Sequence, residues 1–417
     1  MDSKLLGKIA CLTLLLILLL VSSCSDAQQS AQQGWTRTYG GTGWEEASSV
    51  QQTSDGGYII TGHTTSFGAG FMDVYLIKTD AGGDTLWTRT YGGPDNDGSY
   101  SVQQTSDGGY IIAGATYSFG AGDYDVYLIK TDASGDTLWT RTYGGTDYDI
   151  GFSVQQTSDG GYIIAGAANP LGAGESNVYL IKTDAGGDTL WTRTYGETDY
   201  AIGASVQQTS DGGYIIAGSA SPFGVLESDV YLIKTDAGGD TLWTKTYGGT
   251  DHDAAFSVQQ TSDGGYIIVG QTFSLIAGFL PQDDVYLIKT DANGDTLWTR
   301  TYGGMGSDSG ASVQQTTDGG YIIAGRTEHI VAAILEFIRG GIDFDVVNYN
   351  VLLIKTDASG DTLWTRKYGG AILDEAVSVQ QTSDGGYIIA GATNSFGAGD
   401  GDFYLIKTDA EGGVGGR

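Results

Sequence analysis

A unit of about 52 residues recurs seven times along this chain, and few folds can absorb such a repeat. Tryptophan stands at 35, 87, 139, 191, 243, 298 and 364, with spacings of 52, 52, 52, 52, 55 and 66. The aspartate of an (S/T)DGGYII motif falls at 55, 107, 159, 211, 263, 318 and 384, with the same spacings. A third motif, (Y/L)LIKTD, also occurs seven times and ends at Asp80, Asp132, Asp184, Asp236, Asp291, Asp357 and Asp409. Each unit holds four strand-like runs, in the first unit Ser48–Thr53, Tyr58–His63, Asp73–Lys78 and Asp84–Tyr91. Ser54-Asp55-Gly56-Gly57 and Thr79-Asp80-Ala81-Gly82-Gly83 supply tight turns between them. Runs such as Tyr-Ile-Ile and Val-Tyr-Leu-Ile are apolar on both faces, as in strands covered on both sides. Four-stranded sheets packed face to face in a ring meet that demand. The sequence therefore predicts an all-β, seven-bladed β-propeller of four-stranded antiparallel blades over residues 35–417.

The ends of the repeat array support a closed ring. The array starts with an orphan fourth strand, Trp35–Gly40, and finishes on a third strand, Phe403–Lys407, with no fourth after it. Pairing these two completes the last blade, whereas an open solenoid would need caps.

The segment before the array reads as an address. Lys4 and Lys8 precede an apolar run from Ile9 to Val21, too short for a comfortable membrane span. The run ends in Val21-Ser22-Ser23-Cys24, which resembles a bacterial lipobox. That resemblance implies a lipoprotein signal peptide over 1–23, lipidation of Cys24, and a polar tether over 24–34. An ordinary signal peptide or an uncleaved anchor is the alternative. Ser25 after the cysteine resembles lipoproteins sent onward to the outer membrane. The expected location is the cell membrane or outer membrane, periplasmic or surface-exposed.

The repeats also resemble known propellers. Lys78-Thr79-Asp80-Ala81-Gly82-Gly83-Asp84-Thr85-Leu86-Trp87 resembles the tryptophan-docking repeat of quinoprotein-like propellers. Thr53–Ile60 is loosely similar to the Asp-box of sialidase-type propellers. Over residues 35–409 the chain most resembles uncharacterised prokaryotic surface propellers with YGG…SDGGYI…LIKTD units, of quinoprotein-like or kelch-like fold. Some of those carry endoglucanase-like labels.

Charge and cysteine usage narrow the function classes. The net charge is −30, and the first 23 residues contribute +1, leaving −31 on the remainder. Such a surface repels polyanions, so nucleic acid is excluded as a partner. Both cysteines, Cys11 and Cys24, lie in the leading segment, which excludes a disulfide framework or a cysteine nucleophile in the repeats.

The repeated residues read as structural. Trp87 shares a strand face with Arg89 and Tyr91, and the equivalents Trp139, Trp191, Trp243, Trp298 and Trp364 lock one blade to the next. The differing segments gather on the opposite face, where function on a rigid scaffold concentrates. Among them Thr272–Asp283 gains three residues and Thr327–Asn350 gains fourteen. Phe279, Ile334, Leu335 and Phe337 are candidate partner contacts there, in apolar stretches that either form a docking surface or fold over the channel. Residues 330–338 could form a short helix. Trp44, beside Glu45 and Glu46 and outside the repeat position, suits stacking on a sugar.

Acid–base chemistry has many candidates, among them Glu45, Glu46, Asp97, Asp149, Asp374 and Glu375, and a glycosidase needs only two across a cleft. Three histidines, His63, His252 and His329, fall in separate units, a poor basis for one zinc ion. Asp291 and Asp295 admit either calcium ligation or Asx-turn capping. No nucleophile elbow, Walker loop or dinucleotide fingerprint is present. The expectation is a monomeric, cofactor-free, lipid-anchored envelope scaffold that binds a protein or glycan. A polysaccharide-active enzyme using loop carboxylates is the second reading, and a quinone-dependent dehydrogenase the third.

Overall fold

The computed structural model describes residues 34–415 apart from 170–175, 197–198, 223–226, 277–279, 305 and 329–347. Every element among the described residues is a strand, and the strands form seven four-stranded antiparallel sheets. Six blades are consecutive in sequence; the first runs through Glu45–Gln52, Tyr58–Thr64, Asp73–Thr79 and Thr85–Tyr91. The seventh joins Asp374–Gln381, Tyr387–Thr393 and Asp402–Thr408 to the N-terminal strand Trp35–Tyr39, in register Trp35↔Lys407 through Tyr39↔Phe403. Ring closure by the two ends is as the sequence predicts. Gly34, the last residue of the expected tether, is buried, and its carbonyl accepts from Gly415 N–H. Residues 1–33, with Cys24, lie outside the described residues, as do Phe279, Ile334, Leu335, Phe337, His329 and the expected helix at 330–338.

The core is seven small cores, one per blade interface. In one of them Ile59, Val74 and Leu76 of the first blade meet Val102, Tyr110, Ile112, Tyr127 and Ile129 of the second. Both central strands of each blade are buried on both faces, which is why their apolar runs do not alternate. Full burial of each such side chain stabilises by about 1.5–3 kcal/mol.

The fourth strand carries a clasp. Each tryptophan packs edge-on against the SDGGYII tyrosine of the following blade, centroids 5.9–6.0 Å apart. Trp87 also lies over Gly135 in the next blade's turn, where a Cβ would sit 2.7 Å from the indole and where φ is +78°. Tyr91 Oη donates to Gly135 O at 2.6 Å, and Arg89 stacks on Trp87 while reaching Asp136 at 3.2 Å. The same clasp from Trp35 and Tyr39 grips Gly83, so the N-terminal strand both completes the last blade and seizes the first.

The innermost strands are stitched by three closed sets of hydrogen bonds. Serine hydroxyls accept from valine N–H groups of the next blade at 3.2–3.4 Å, as Ser49 does from Val102. Gln51, Gln103, Gln155, Gln207, Gln259, Gln314 and Gln380 each accept through Oε1 from the next blade's glutamine N–H at 2.5–2.6 Å. The neighbouring glutamines, such as Gln104, accept from the SDGG turn of the preceding blade, as from Ser54 N–H at 2.8 Å.

Turn aspartates are spent on structure. Asp55 holds the buried Lys78 Nζ at 3.0 Å and caps Gly57 N–H, a pattern repeated in all seven blades at 2.9–3.0 Å. Asp291 Oδ1 accepts from Asn293 N–H and Asp295 N–H at 2.8 and 2.9 Å, the Asx-turn arrangement.

Candidate functional site

A scaffold repeated sevenfold exposes function where equivalent positions differ. Every innermost strand carries a β-bulge, between Ala47 and Ser49 in the first blade and at the same point in the others. The extra residue escapes cross-strand pairing. It is Ser48, Tyr100, Phe152, Ala204, Phe256, Ala311 and Val377 around the ring. Two positions earlier, each innermost strand pairs with the second strand of its blade at the variable-face mouth of the channel. The pairs are Glu46↔His63, Gly98↔Ala115, Ile150↔Ala167, Ile202↔Ser219, Ala254↔Gln271, Ser309↔Arg326 and Glu375↔Ala392.

These pairs divide the mouth. Blades two to four contribute alanine, isoleucine and glycine with one serine, and Tyr100 packs edge-on against Phe152 at 5.2 Å. Blades five to one contribute the polar and charged groups Gln271, Ser309, Arg326, Glu375, Glu46 and His63, beside Ala254 and Ala392. Ser309 donates to Gln271 at 3.1 Å, and Arg326 pairs with Glu375 at 3.1 Å and lies 4.8 Å over the Tyr349 ring. A cavity of about 250 Å³ sits where the halves meet, lined by Glu46, Ser48, His63, Met72, Tyr100 and Val377 with Gly98 and Ser99.

Glu46, Glu375, His63 and Tyr100 are held away from their ordinary values. Burial raises the Glu46 carboxyl, against a hydrogen bond from the Trp44 side chain and the charge of Arg326. Burial also raises Glu375; Arg326 opposes the rise and Glu46 adds to it. Burial lowers His63, so its 4.0 Å approach to Glu46 involves a neutral ring at pH 7. Tyr100 is pushed up to about 12, first by burial and then by Tyr148, Tyr124 and Glu46.

An aromatic row leads away from the cavity. Tyr124 packs between Tyr117 and Tyr148, both centroid distances 5.2 Å. Tyr117, Tyr148 and Tyr200 are each about half exposed on this face. Trp44, 40% exposed, stands on the opposite flank.

Of the residues singled out from sequence, Trp44 joins this site directly through Glu46. Glu45, Asp97, Asp149 and Asp374 do not. They are buried at the start of the innermost strands and accept from a blade-link N–H four residues earlier, Gly41, Gly93, Gly145 and Gly370, at 2.6–2.8 Å. Their oxygens are engaged in holding the link, which removes them as acid–base candidates. Glu46 and Glu375 survive from that set. His252, at the start of the fifth blade, contacts Ser228 of the fourth, away from His63 in the first. The insertion in blade five extends a hairpin, Tyr266–Ile276 paired with Leu280–Thr290. Sequence reasoning passed over Arg326, Tyr100 and the tyrosine row. Comparing equivalent positions across the seven units carries that signal.

No family model matches the chain. It is 28% identical over 274 residues to the regulatory protein FlaEY of Caulobacter vibrioides, covering 58% of this chain. The match spans 27% of that relative's length. Among solved structures, the WD40 domain of Pan2 from Neurospora crassa aligns with a TM-score of 0.51 at 10% identity, over 87% of this chain and 89% of that one. This likeness bears on the propeller fold alone. A Bacteroides caccae protein of unknown function aligns at a TM-score of 0.42 and 13% identity, over 82% of this chain and 98% of that one.

Proposed function

We propose that the protein is a monomeric, lipid-anchored binding scaffold of the cell envelope that holds a neutral glycan at the variable-face mouth of its channel. The observation that carries this reading is the divided mouth. Aromatic and apolar side chains line one half, and Glu46, His63, Arg326 and Glu375 line the other. A sugar ring has the same division, with C–H faces that stack on aromatics and an equator of hydroxyls that bond to carboxylates and guanidinium. The net charge of −30 favours a neutral polymer over an acidic one. Lipidation of Cys24 holds the propeller at the membrane, and palmitate labelling lost on Cys24→Ser tests it.

The glycan reading is tested by calorimetric titration of neutral oligosaccharides of four to six sugars. Trp44→Ala and Tyr100→Ala each weaken binding about tenfold, the loss of roughly one stacking contact. Failure of every neutral oligosaccharide to bind, or binding indifferent to both changes, overturns the site.

The coupled carboxyls Glu46 and Glu375 favour a second reading, hydrolysis of the same glycan with these two as the acid–base pair. Release of reducing ends that disappears in Glu46→Gln and Glu375→Gln distinguishes it from binding alone.

A further inference from the structure

At the level of the paired glutamines the channel is built for a different ligand. The seven channel glutamines, Gln51 through Gln380, each spend Oε1 on a backbone N–H of the next blade. A backbone N–H can only donate, so the carboxamide oxygen must face it and the Nε2 amino group must face away. Those amino groups find no acceptor among the described residues. The outer glutamines differ, because Gln104 Nε2 is already bonded to Gly108 O at 3.4 Å, and Gln52, Gln156, Gln208, Gln260 and Gln381 make the same bond at 3.3–3.4 Å. The inner ring surrounds a cavity of about 250 Å³ whose lining is only valine and glutamine. In a chain of net charge −30, this lining contains no carboxylate.

We infer that this ring is an anion site that takes one small oxyanion of the phosphate or sulfate class. Each Oε1 already accepts one backbone N–H and the side-chain groups left unpaired are amino donors, so the side chains of the ring favour an anion over a cation. Seven amino groups on rigid strands present their N–H dipoles inward without reorganisation, the arrangement by which backbone nests hold anions. The volume is that of about eight waters of bulk liquid, enough for a tetrahedral oxyanion and part of its hydration shell. The carboxylates lie outside this lining, and salt weakens the field of the exposed ones. The site is independent of the glycan reading.

The test is calorimetric titration of sodium phosphate into the full chain in zwitterionic buffer, with crystals soaked in selenate. One phosphate binds per ring, and selenate gives an anomalous peak within the glutamine ring. The variant Gln51→Glu/Gln155→Glu/Gln259→Glu keeps each acceptor for the neighbouring N–H and replaces the amino group by an anionic oxygen. It binds phosphate at least tenfold more weakly. Gln155→Glu alone gives a smaller loss and serves if the triple variant does not fold. Absence of binding heat, an anomalous peak elsewhere, or unchanged affinity in a folded variant overturns the assignment.

Discussion

Gly135 shows how a single atom fixes the contact between two blades. Its φ of +78° is open to glycine at little cost, and the face where a Cβ would stand is occupied by the Trp87 indole at 2.7 Å. An alanine there pays for left-handed backbone and also displaces a packed aromatic. Gly135→Ala therefore destabilises by about 2–4 kcal/mol, the sum of a left-handed residue and an overpacked contact. Urea unfolding measures it, and a loss below about 1 kcal/mol contradicts the clasp. Gly56, at φ +86°, has nothing within 4 Å of its missing Cβ, so Gly56→Ala bears only the backbone part. The difference between the two variants isolates the packing part. The sequence displays the invariant Gly and Trp of this contact plainly, but their meeting spans two units, and only the ring brings them together.

Each blade link is an element with its own electrostatics. Asp149 starts an innermost strand, accepts from Gly145 N–H at 2.8 Å and is raised to about 6, first by burial and then by Asp125 and Asp147. A carboxyl raised on folding stabilises fully below its unfolded value near 4, and that contribution is lost as pH rises through 6. At pH 7 the ionised Asp149 is a cost. Asp149→Asn then stabilises by about 1–2 kcal/mol at pH 7 and by nothing at pH 4, as read from thermal unfolding at both. A gain that persists at pH 4 would show that the effect is not ionisation. The chain holds a counterpart in the link before blade four, where Asn177 and Ala201 replace both acids. The strand expected from sequence, Ser48–Thr53 in the first unit, leaves the equivalents of Asp149 in the blade link, whereas the innermost strand of blade three begins at Asp149 itself and turns the acid toward the link. The bulge shifts the register by one residue, so Tyr100 and its equivalents leave the alternation that would have placed them, and the site they line was not legible from period alone.

At the scale of the whole ring, seven copies of one contact act together. Burial raises Asp55, but hydrogen bonds from Thr53, Lys78 and Gly57 outweigh it and bring the carboxyl down to about 2, as at Asp107, Asp159, Asp211 and Asp263. Asp318 and Asp384 are lowered by the same set. A depressed carboxyl stabilises above its unfolded value near 4 and loses that contribution as pH falls toward 2. Every blade has one such carboxyl, so acid unfolding is concentrated between pH 4 and 2 and takes up several protons in one step. The closing seam sets whether the ring unfolds as one body. The repeats and the orphan strand made closure legible, because a ring of near-identical interfaces needs one more strand than the last unit supplies. Tyr39 clasps Gly83 O at 2.6 Å across the seam, as Tyr91 clasps Gly135 O at 2.6 Å between continuous blades. Tyr39→Phe and Tyr91→Phe each remove one hydrogen bond, about 1 kcal/mol. Equal losses in urea unfolding mean that the seam is as strong as the other interfaces and the ring is a single cooperative unit. Removal of residues 35–39 strips the last blade of its outer strand and the first of its clasp. It lowers the unfolding midpoint by far more than either tyrosine change and splits the transition. A midpoint unchanged by that removal would mean that the ring closes by some contact other than this strand.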